Sequence, residues 1–403
     1  MKTYDDLSEF VEEENVKFIR LAFIDALGNQ KNIAIMPGEL PRAMKEGISI
    51  DASAVPGFGS AERSDLFLHP DPETITIVPW RPIDGRVARM FCDVAYPDGK
   101  PFERDTRLIL KNAVKAAQDK NIRINFGPEI EFYVFRQDEN GNPTKEPLDH
   151  AGYMDIDPCD RGDNIRREVC FTLLDMGIVP EASHHEQGPG QNEVDFRYSD
   201  PLSTADNTET LKWAVRSICD SNGMTADFSP KPLADEPGNG MHINISVESG
   251  EGKNVTKPFM AGIMKYIRDF TLFLNPESES YSRLGVQKAP AFISWSEQNR
   301  SQLIRIPAAD EGRKRMELRS PDPEANPYLA YALLIYAGLS GIEENLAPEP
   351  SLDVNLYTAD PEMTAGLKRL PATLAEAAAA ARRSEFVQKY VPSDILEIYC
   401  ERA

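Results

Sequence analysis

Two glutamates stand two positions apart in a segment that alternates in polarity after a Gly-Pro pair. Glu129 and Glu131 alternate strictly with the apolar residues Ile130, Phe132 and Val134. Successive side chains of a β-strand point to opposite faces, so the two carboxylates share one face, about 7 Å apart. Such a face is either solvated or holds a cation, because burial of unpaired carboxylates is costly.

Later segments carry further candidate ligands on alternating positions. They contain Glu186 and Glu193, on either side of a Gly-Pro-Gly turn, and then His242 and Glu317. If these strands share one sheet, five carboxylates and one imidazole converge. Oxygen ligands with little histidine and no cysteine favour Mg²⁺ or Mn²⁺ over zinc. More carboxylates than one ion requires indicate two or more ions, which is typical of sites that bind phosphate groups.

Basic residues cluster around the last of these acids. They are Arg300, Arg305, Arg313, Lys314, Arg315 and Arg319. A guanidinium group binds phosphate or carboxylate through two parallel hydrogen bonds. Acids and arginines on alternating strand faces therefore predict a site for metal ions and an anionic substrate.

The elements that must position these residues mix strands with helices, which predicts an α+β fold. Residues 1–100 are expected to form one small domain, which opens with a hairpin of strands at 16–25 and 31–35. Residues 101–403 are expected to form a larger domain. Its helices are predicted at 104–119, 163–176, 204–221, 257–274 and 327–345, with strands at 179–186, 192–198, 241–246, 291–295 and 302–306.

The composition of the 403-residue chain limits its partners. Its formal net charge of −21 argues against nucleic acid and against an anionic membrane surface. No run of about 18 apolar residues occurs, so no membrane span is expected. The five cysteines are scattered without a CxxC pair. Scattered cysteines and the lack of an apolar signal segment at the N-terminus together predict a cytoplasmic protein.

At its motifs the sequence resembles the bacterial-type glutamine synthetases over nearly its whole length. The matching segments are 127–132, 184–193, 240–242, 299–307 and 317–329, with the hairpin at 16–35 and the Asp51 loop. The resemblance implies a β-grasp-like N-terminal domain and a larger catalytic domain built on an antiparallel sheet. It also implies a homo-oligomeric ring, a hexamer or a dodecamer, in which the Asp51 loop completes the neighbouring subunit's site.

The reaction implied by the resemblance has two steps. The γ-phosphoryl group of ATP moves onto the γ-carboxylate of glutamate, and ammonia then displaces phosphate to give the amide. Two Mg²⁺ or Mn²⁺ ions take part. One ion is held by Glu131, Glu186 and Glu193, and the second by Glu129, His242 and Glu317.

The resemblance also implies residues that bind the substrates. The ATP phosphates contact Arg300, Arg305 and Arg313, and the nucleotide pocket is lined by Glu181, Tyr198 and Ser246. Glutamate is held by Arg283, Arg319, Gly238 and His242. Asp51 and Tyr153 remain from the ammonium side, and Asp51, Tyr153, Arg300 and Arg319 are the expected catalytic residues.

The resemblance breaks at the segment that closes the site. The family carries a flap whose glutamate helps to deprotonate ammonium. Here residues 283–290 are one residue shorter and contain no carboxylate, and Lys288 aligns best with the missing acid. A protonated lysine repels ammonium and cannot accept its proton. Other departures are Pro237, Ala52 and Asn244.

Three functions therefore remain open. The first is a glutamine synthetase whose flap works without its acid. The second is a γ-glutamyl ligase for another amine or an amino acid, where Lys288 would favour a nucleophile that carries its own carboxylate. The third is a catalytically weak paralogue that binds nucleotide or glutamate and acts as a regulatory partner.

Overall fold

Residues 16–95 form the smaller of two sheets in a computed structural model, which describes residues 2–81, 84–286, 288–309 and 315–403. The strands are β1 (Val16–Ile24), β2 (Gln30–Ile35), β3 (Ile48–Asp51), β4 (Asp65–Pro70), β5 (Thr76–Ile77) and β6 (Arg86–Ala95). They lie in the order β2-β1-β6-β4-β3, with β5 beside β6. β1 and β6 run parallel, and the other pairs are antiparallel.

The second sheet carries the acidic strands. Its members are β7 (Ile122–Gln137), β8 (Pro143–Pro147), β9 (Pro180–His185), β10 (Gln191–Phe196), β11 (Met224–Asp227), β12 (Met241–Ser249), β13 (Trp295–Glu297), β14 (Ile304–Ile306) and β15 (Met316–Leu318). The order is β13-β14-β15-β12-β7-β10-β9, with β8 and β11 also paired to β7. Every pair except β13–β14 is antiparallel. β7 is thus the central strand of this sheet and pairs with β8, β10, β11 and β12.

Helices surround both sheets. They are α1 (Tyr4–Glu13), α2 (Leu40–Glu46), α3 (Thr106–Asp119), α4 (Asp163–Asp175), α5 (Pro201–Ser221), α6 (Thr256–Leu274), α7 (Ser278–Arg283), α8 (Pro327–Glu343), α9 (Pro361–Thr364), α10 (Leu374–Arg383), α11 (Glu385–Tyr390) and α12 (Ser393–Cys400). Short 3₁₀ turns cover Pro37–Glu39, Ala52–Ala54 and Pro72–Thr74. Among the described helices, none is long and apolar enough to cross a bilayer.

The apolar face of β7 packs into the main core and leaves the acidic face for the site. Ile130, Phe132 and Val134 have no exposed surface. The ring of Phe126 lies 4.6 Å from that of Tyr331 on α8. α8 is apolar along most of its length and is buried there, with Tyr336, Ser340, Ile342 and Glu343 partly or fully exposed. The alternation of β7 is thus fixed, because a slip of one residue would place the glutamates in this core.

A buried ionic network joins β6 of the smaller sheet to helices that pack on the larger sheet. Arg107 of α3, 2% exposed, donates to Asp93 of β6 at 2.7 Å and to Asp206 of α5 at 2.9 Å. The hydroxyl of Tyr328 on α8 also donates to Asp206, at 2.6 Å. Removing one partner of such a network leaves an unpaired buried charge, so the network fixes one arrangement of the sheets.

The predicted α+β class, the hairpin and the five long helices are confirmed. Thr3 and Asp6 form a reciprocal cap on α1. The strand predicted at 291–295 is wrong for most of its length, since β13 begins at Trp295. Residues 291–293 bond instead to the chain near residue 369, with Ile293 N donating to Lys368 O at 2.8 Å.

Candidate active site

The acidic face of the second sheet is built by register pairs on either side of β7. Glu129 lies opposite His242 of β12 and opposite Asp195 of β10. Glu131 lies opposite Glu193 of β10. Residues in register on neighbouring strands present their side chains to the same face. The strand order therefore gathers acids that are far apart in the sequence.

Glu129, His242 and Glu317 form the first group of potential ligands, and their ligand atoms all lie within 4.8 Å of one another. Nδ1 of His242 is 3.4 Å from Oε2 of Glu129. Burial raises the pKa of Glu129, but hydrogen bonds to His242 and Asn244 outweigh burial and hold this pKa at about 2. The structure thus brings together the three residues assigned to the second ion, with Glu129 ionised.

Glu317 also connects this group to two arginines. Its carboxylate has no exposed surface. Oε2 accepts a hydrogen bond from Arg305 Nη1 at 2.5 Å, and Oε1 accepts one from Arg319 Nη1. Positive charge thus stands beside the candidate metal ligands, where the negative charge of a phosphate or carboxylate would be stabilised.

The second group contains His184, Glu186 and Glu193. Nε2 of His184 is 3.0 Å from Oε1 of Glu186 and 3.9 Å from Oε1 of Glu193. Burial and then the neighbouring carboxylates, Asp195 first and Glu131 next, raise the pKa of Glu193 well above its ordinary value. A divalent cation would relieve this repulsion, so the donor set suits Mg²⁺ or Mn²⁺.

Glu131 lies beside the second group rather than within it, and its carboxylate is held by backbone. Oε2 accepts from the amide of Gly240 at 2.6 Å and lies 3.4 Å from Nε2 of Gln191. A Cβ on Gly240 would lie 2.7 Å from Nε2 of His242 and 2.8 Å from Nη2 of Arg283. Glycine is therefore required at residue 240 for this close approach.

The two arginines expected to hold glutamate have different partners: Arg283 donates to backbone carbonyls, whereas Arg319 donates to the carboxylate of Glu317. Arg283 is 3% exposed and donates to the carbonyls of Ser320, at 2.7 Å, and Arg319, at 3.3 Å. It therefore fixes the backbone that carries Arg319. The carbonyl of Gly238 lies nearby and accepts from Nε2 of Gln191 at 3.2 Å.

The residues expected at the nucleotide lie further along the same face. Ser246 pairs in register with Asn125, whose Nδ2 donates to Ser246 Oγ at 3.4 Å. Tyr198 is 67% exposed and its Cβ lies directly over Gly127. Glu181 is exposed on β9. Since each two-residue step of a strand spans about 7 Å, these residues extend the acidic face lengthwise.

The remaining predicted residues lie at the margin of the face. The ring of Tyr153 meets that of His184 edge to face at 5.3 Å, and the exposed Arg300 is among the charges that act on the Tyr153 hydroxyl. Asp51 lies on the other sheet, where its Oδ1 accepts from the amide of Ser53. Arg313 lies outside the described residues.

Comparison with known proteins identifies the family. The model for the β-grasp domain of glutamine synthetase matches residues 15–97, and the model for its catalytic domain matches residues 103–403. The chain belongs to the glutamine synthetase family. It is 45% identical to the glutamine synthetase of Methanosarcina mazei, over 98% of this chain and 92% of that protein. It is 43% identical to that of Clostridium saccharobutylicum, over 96% and 91%.

Solved structures agree with this glutamine synthetase fold. A structure titled "GmaS/ADP complex" superposes with a TM-score of 0.88 at 28% identity, covering 98% of this chain and 94% of that one. A cryo-EM structure of Plasmodium falciparum glutamine synthetase gives 0.87 at 22% identity, covering 100% and 95%. The predicted β-grasp-like domain and larger catalytic domain are thus confirmed, and the chain is an enzyme of the ligase type.

Asn244, expected only as a departure from the family, also takes part in this glutamine synthetase-like site, next to Arg315 of the predicted basic cluster. Asn244 Nδ2 donates to Glu129 Oε1 at 2.8 Å, and Arg315 Nε donates to Asn244 Oδ1 at 2.8 Å. His184, which belongs to neither ligand set implied by the resemblance, groups with Glu186 and Glu193. The signal for Asn244 was its position two residues after His242, which places both on one strand face.

Proposed function

We propose that this protein phosphorylates the γ-carboxylate of glutamate with ATP and condenses the product with ammonia. The observation that carries the proposal is the pair of ligand groups on one sheet face, with Arg305 and Arg319 both bonded to Glu317. Phosphoryl transfer depends on positioning and on charge stabilisation more than on a protein nucleophile. An acidic metal face bordered by arginines supplies both.

The residues that would hold the ions follow from these groups. Glu186 and Glu193, with Glu131 or His184, would hold one Mg²⁺ or Mn²⁺, and Glu129, His242 and Glu317 the other. The ions would neutralise the phosphate oxygens of ATP. Within the part of the chain that the structure describes, the buried Oδ1 of Asp195 accepts no hydrogen bond, which supports cation binding at this face.

The arginines and the flanking residues would bind the substrates. Arg300, Arg305 and Arg313 would bind ATP phosphates, with Glu181, Tyr198 and Ser246 around the nucleotide. Arg319 would bind glutamate, held in place by Arg283, next to Gly238 and His242. Asp51 of a neighbouring subunit and Tyr153 would face the incoming ammonia. The proposal includes a ring of subunits, a hexamer or a dodecamer, and a domain boundary near residue 100.

A second candidate is a γ-glutamyl ligase for another amine or an amino acid. Lys288 favours this second candidate. The segment that follows Arg283 carries this exposed lysine and contains no acid that could deprotonate ammonium. Its charge would attract a nucleophile that carries a carboxylate.

The test is phosphate release from ATP with glutamate, Mg²⁺ or Mn²⁺, and one nucleophile at a time. Ammonium, methylamine, ethanolamine and a set of amino acids are compared, and the amide product is identified by mass spectrometry. Turnover with ammonium is the expected result. Turnover only with another amine supports the γ-glutamyl ligase, and tight ADP binding without any turnover supports a regulatory paralogue.

A further inference from the structure

Tyr357 lies in the loop between α8 and α9 and points its hydroxyl towards the site. The residue is 37% exposed, yet its hydroxyl lies within hydrogen-bond distance of two carbonyl oxygens. One belongs to Lys288, and the other, at 2.8 Å, belongs to Arg300. A tyrosine hydroxyl has one proton, so the two carbonyls share a single donor.

The loop that carries Tyr357 is fastened to the segment around Arg300. Asn299 Nδ2 donates to Val354 O at 3.1 Å, and the amide of Leu356 donates to Ser301 Oγ at 2.9 Å. These bonds are independent of the tyrosine hydroxyl. Loss of that hydroxyl would therefore leave Tyr357 on its own loop and beside Arg300.

The segment that carries Lys288 is held more weakly. It is a tight turn in which Gly285 N donates to Ala289 O and Ala289 N donates to Val286 O, both at 3.2 Å. Lys288 occupies the left-handed region with φ of 77°, which costs energy for a residue with a Cβ. Within the described residues, the hydrogen bond from the Tyr357 hydroxyl to the Lys288 carbonyl joins this turn to the loop at 353–357.

The two segments serve opposite halves of the proposed reaction. In the proposed function, the turn that follows Arg283 would serve the nucleophile, whereas Arg300 would bind ATP phosphates. The charges of Arg319 and Arg283 both act on the Tyr357 hydroxyl. The tyrosine thus joins the two segments beside the arginines expected at glutamate.

We propose that Tyr357 is a positioning residue that ties the backbone at Lys288 and Ala289, on the nucleophile side, to the phosphate-side segment at 298–301. The inference rests on the proposed function. With the tie in place, the Lys288 backbone stays beside Arg300 once the phosphate-side segment is ordered by nucleotide. Without it, water attacks the carbonyl carbon of γ-glutamyl phosphate, the carbon–oxygen bond to phosphate breaks, and glutamate and phosphate leave without amide.

The first test is amide hydrogen exchange on the free full-length protein, and it does not depend on any activity. In Tyr357→Phe, peptides covering Gly285 and Ala289 should exchange about fivefold faster, as expected for loss of one hydrogen bond. Tyr4→Phe is the control, because Tyr4 is similarly exposed, at 42%, on α1. Unchanged exchange in the turn overturns the proposal.

The second test measures coupling. Phosphate released per amide formed should be close to one in the wild type and rise to about two or more in Tyr357→Phe. The KM for the nucleophile should rise while the KM for ATP stays within about twofold. A ratio that stays at one overturns the coupling role. A wild type that forms no amide with any amine counts against the proposed function, while the exchange experiment still decides the tie.

Discussion

Glu129 and His242 face each other in register across β7 and β12, with Oε2 of the glutamate 3.4 Å from Nδ1 of the histidine. Asp195 lies opposite Glu129 on the other neighbouring strand. Burial and the charges of other carboxylates, that of Glu129 first, raise the pKa of Asp195 well above its ordinary value. The repulsion between Glu129 and Asp195 favours a positive partner between them, so a divalent cation suits the face.

Divalent ions should therefore stabilise the protein. Mn²⁺ at about 100 times its dissociation constant should add about 2.7 kcal/mol to the free energy of unfolding. Glu129→Gln keeps the shape but removes a ligand charge from one of the two proposed ion sites, and it should lose the part of the gain that this ion supplies. Differential scanning fluorimetry with Mn²⁺, and with EDTA, measures the difference.

Glu251→Gln is the matched control for this metal prediction. Glu251 is an exposed acid whose carboxylate pairs with Lys253, away from the sheet face. Its substitution should leave the Mn²⁺ shift unchanged. If Glu129→Gln retains the full shift, Glu129 does not ligate an ion in this protein.

Much of the fold, and the position of the acids on one face of β7, followed from periodicity. The period-2 alternation from Glu129 to Val134 placed two acids on the face opposite the core, and the structure agrees. Long helices rich in apolar residues, such as α6 and α8, were predicted to within a few residues of their ends. These patterns are local, so a single sequence contains them. The triad of Glu129, His242 and Glu317 followed from motif resemblance, and the strand order explains why they meet.

What the sequence did not disclose depends on contacts between distant loops. Tyr357 meets Lys288 and Arg300 through hydrogen bonds across 69 and 57 residues, and no periodicity encodes such contacts. His184 faces Glu193 because β9 and β10 pair in that register. The short strand β13 was misplaced because its neighbours bond to the chain near residue 369 rather than to the sheet.

Asn244 should be a second determinant of the metal face. It donates to Glu129 and accepts from Arg315, so Asn244→Ala frees both charged groups. Partners that orient metal ligands typically contribute about 10- to 100-fold in affinity or activity. We expect a loss of that size in Mn²⁺ affinity, measured by isothermal titration calorimetry, and a parallel loss in turnover.

Asn164→Ala provides the comparison for Asn244. Asn164 accepts a hydrogen bond from Arg167 on an exposed stretch of α4, remote from the ligand groups. This variant should bind Mn²⁺ as the wild type does. Equal affinities for all three proteins would show that Asn244 does not orient Glu129.

Lys288→Glu should test whether the turn limits ammonium chemistry. An acid there would attract ammonium and accept its proton, whereas lysine does neither. We expect turnover with ammonium to rise about tenfold, a modest share of what general-base catalysis contributes. Turnover with a carboxylate-bearing amine, if present in the wild type, should fall.

Lys253→Glu changes the net charge by the same amount on an exposed loop and serves as the control for Lys288. It should leave the nucleophile preference as it is. An ammonium rate that is unchanged in Lys288→Glu would mean that the missing flap acid is not what limits the reaction.

Asp149 should be important for stability, because it fixes the loop behind the second ligand group. The residue is 6% exposed. Its Oδ1 accepts from His185 Nε2 at 2.9 Å and from the Gly190 amide at 3.1 Å, and its Oδ2 accepts from the Arg161 amide at 2.8 Å. Asp149→Asn replaces one carboxylate oxygen with an NH₂ group, which cannot accept the hydrogen bond that one of these donors offers. We expect a loss of about 2–4 kcal/mol in the free energy of unfolding, measured by urea denaturation.

The pH dependence of that loss is specific to the carboxylate. Burial raises the pKa of Asp149, but the His185 hydrogen bond and the backbone amides outweigh burial and hold the pKa at about 2, below the ordinary value of 3.8. The unfolded chain therefore binds more protons between these values, and stability from Asp149 falls as the pH is lowered through that window. The gap between wild type and Asp149→Asn should be largest above pH about 5 and should narrow towards pH about 3. A gap that is constant with pH would mean that the loss reflects packing rather than the ionised carboxylate.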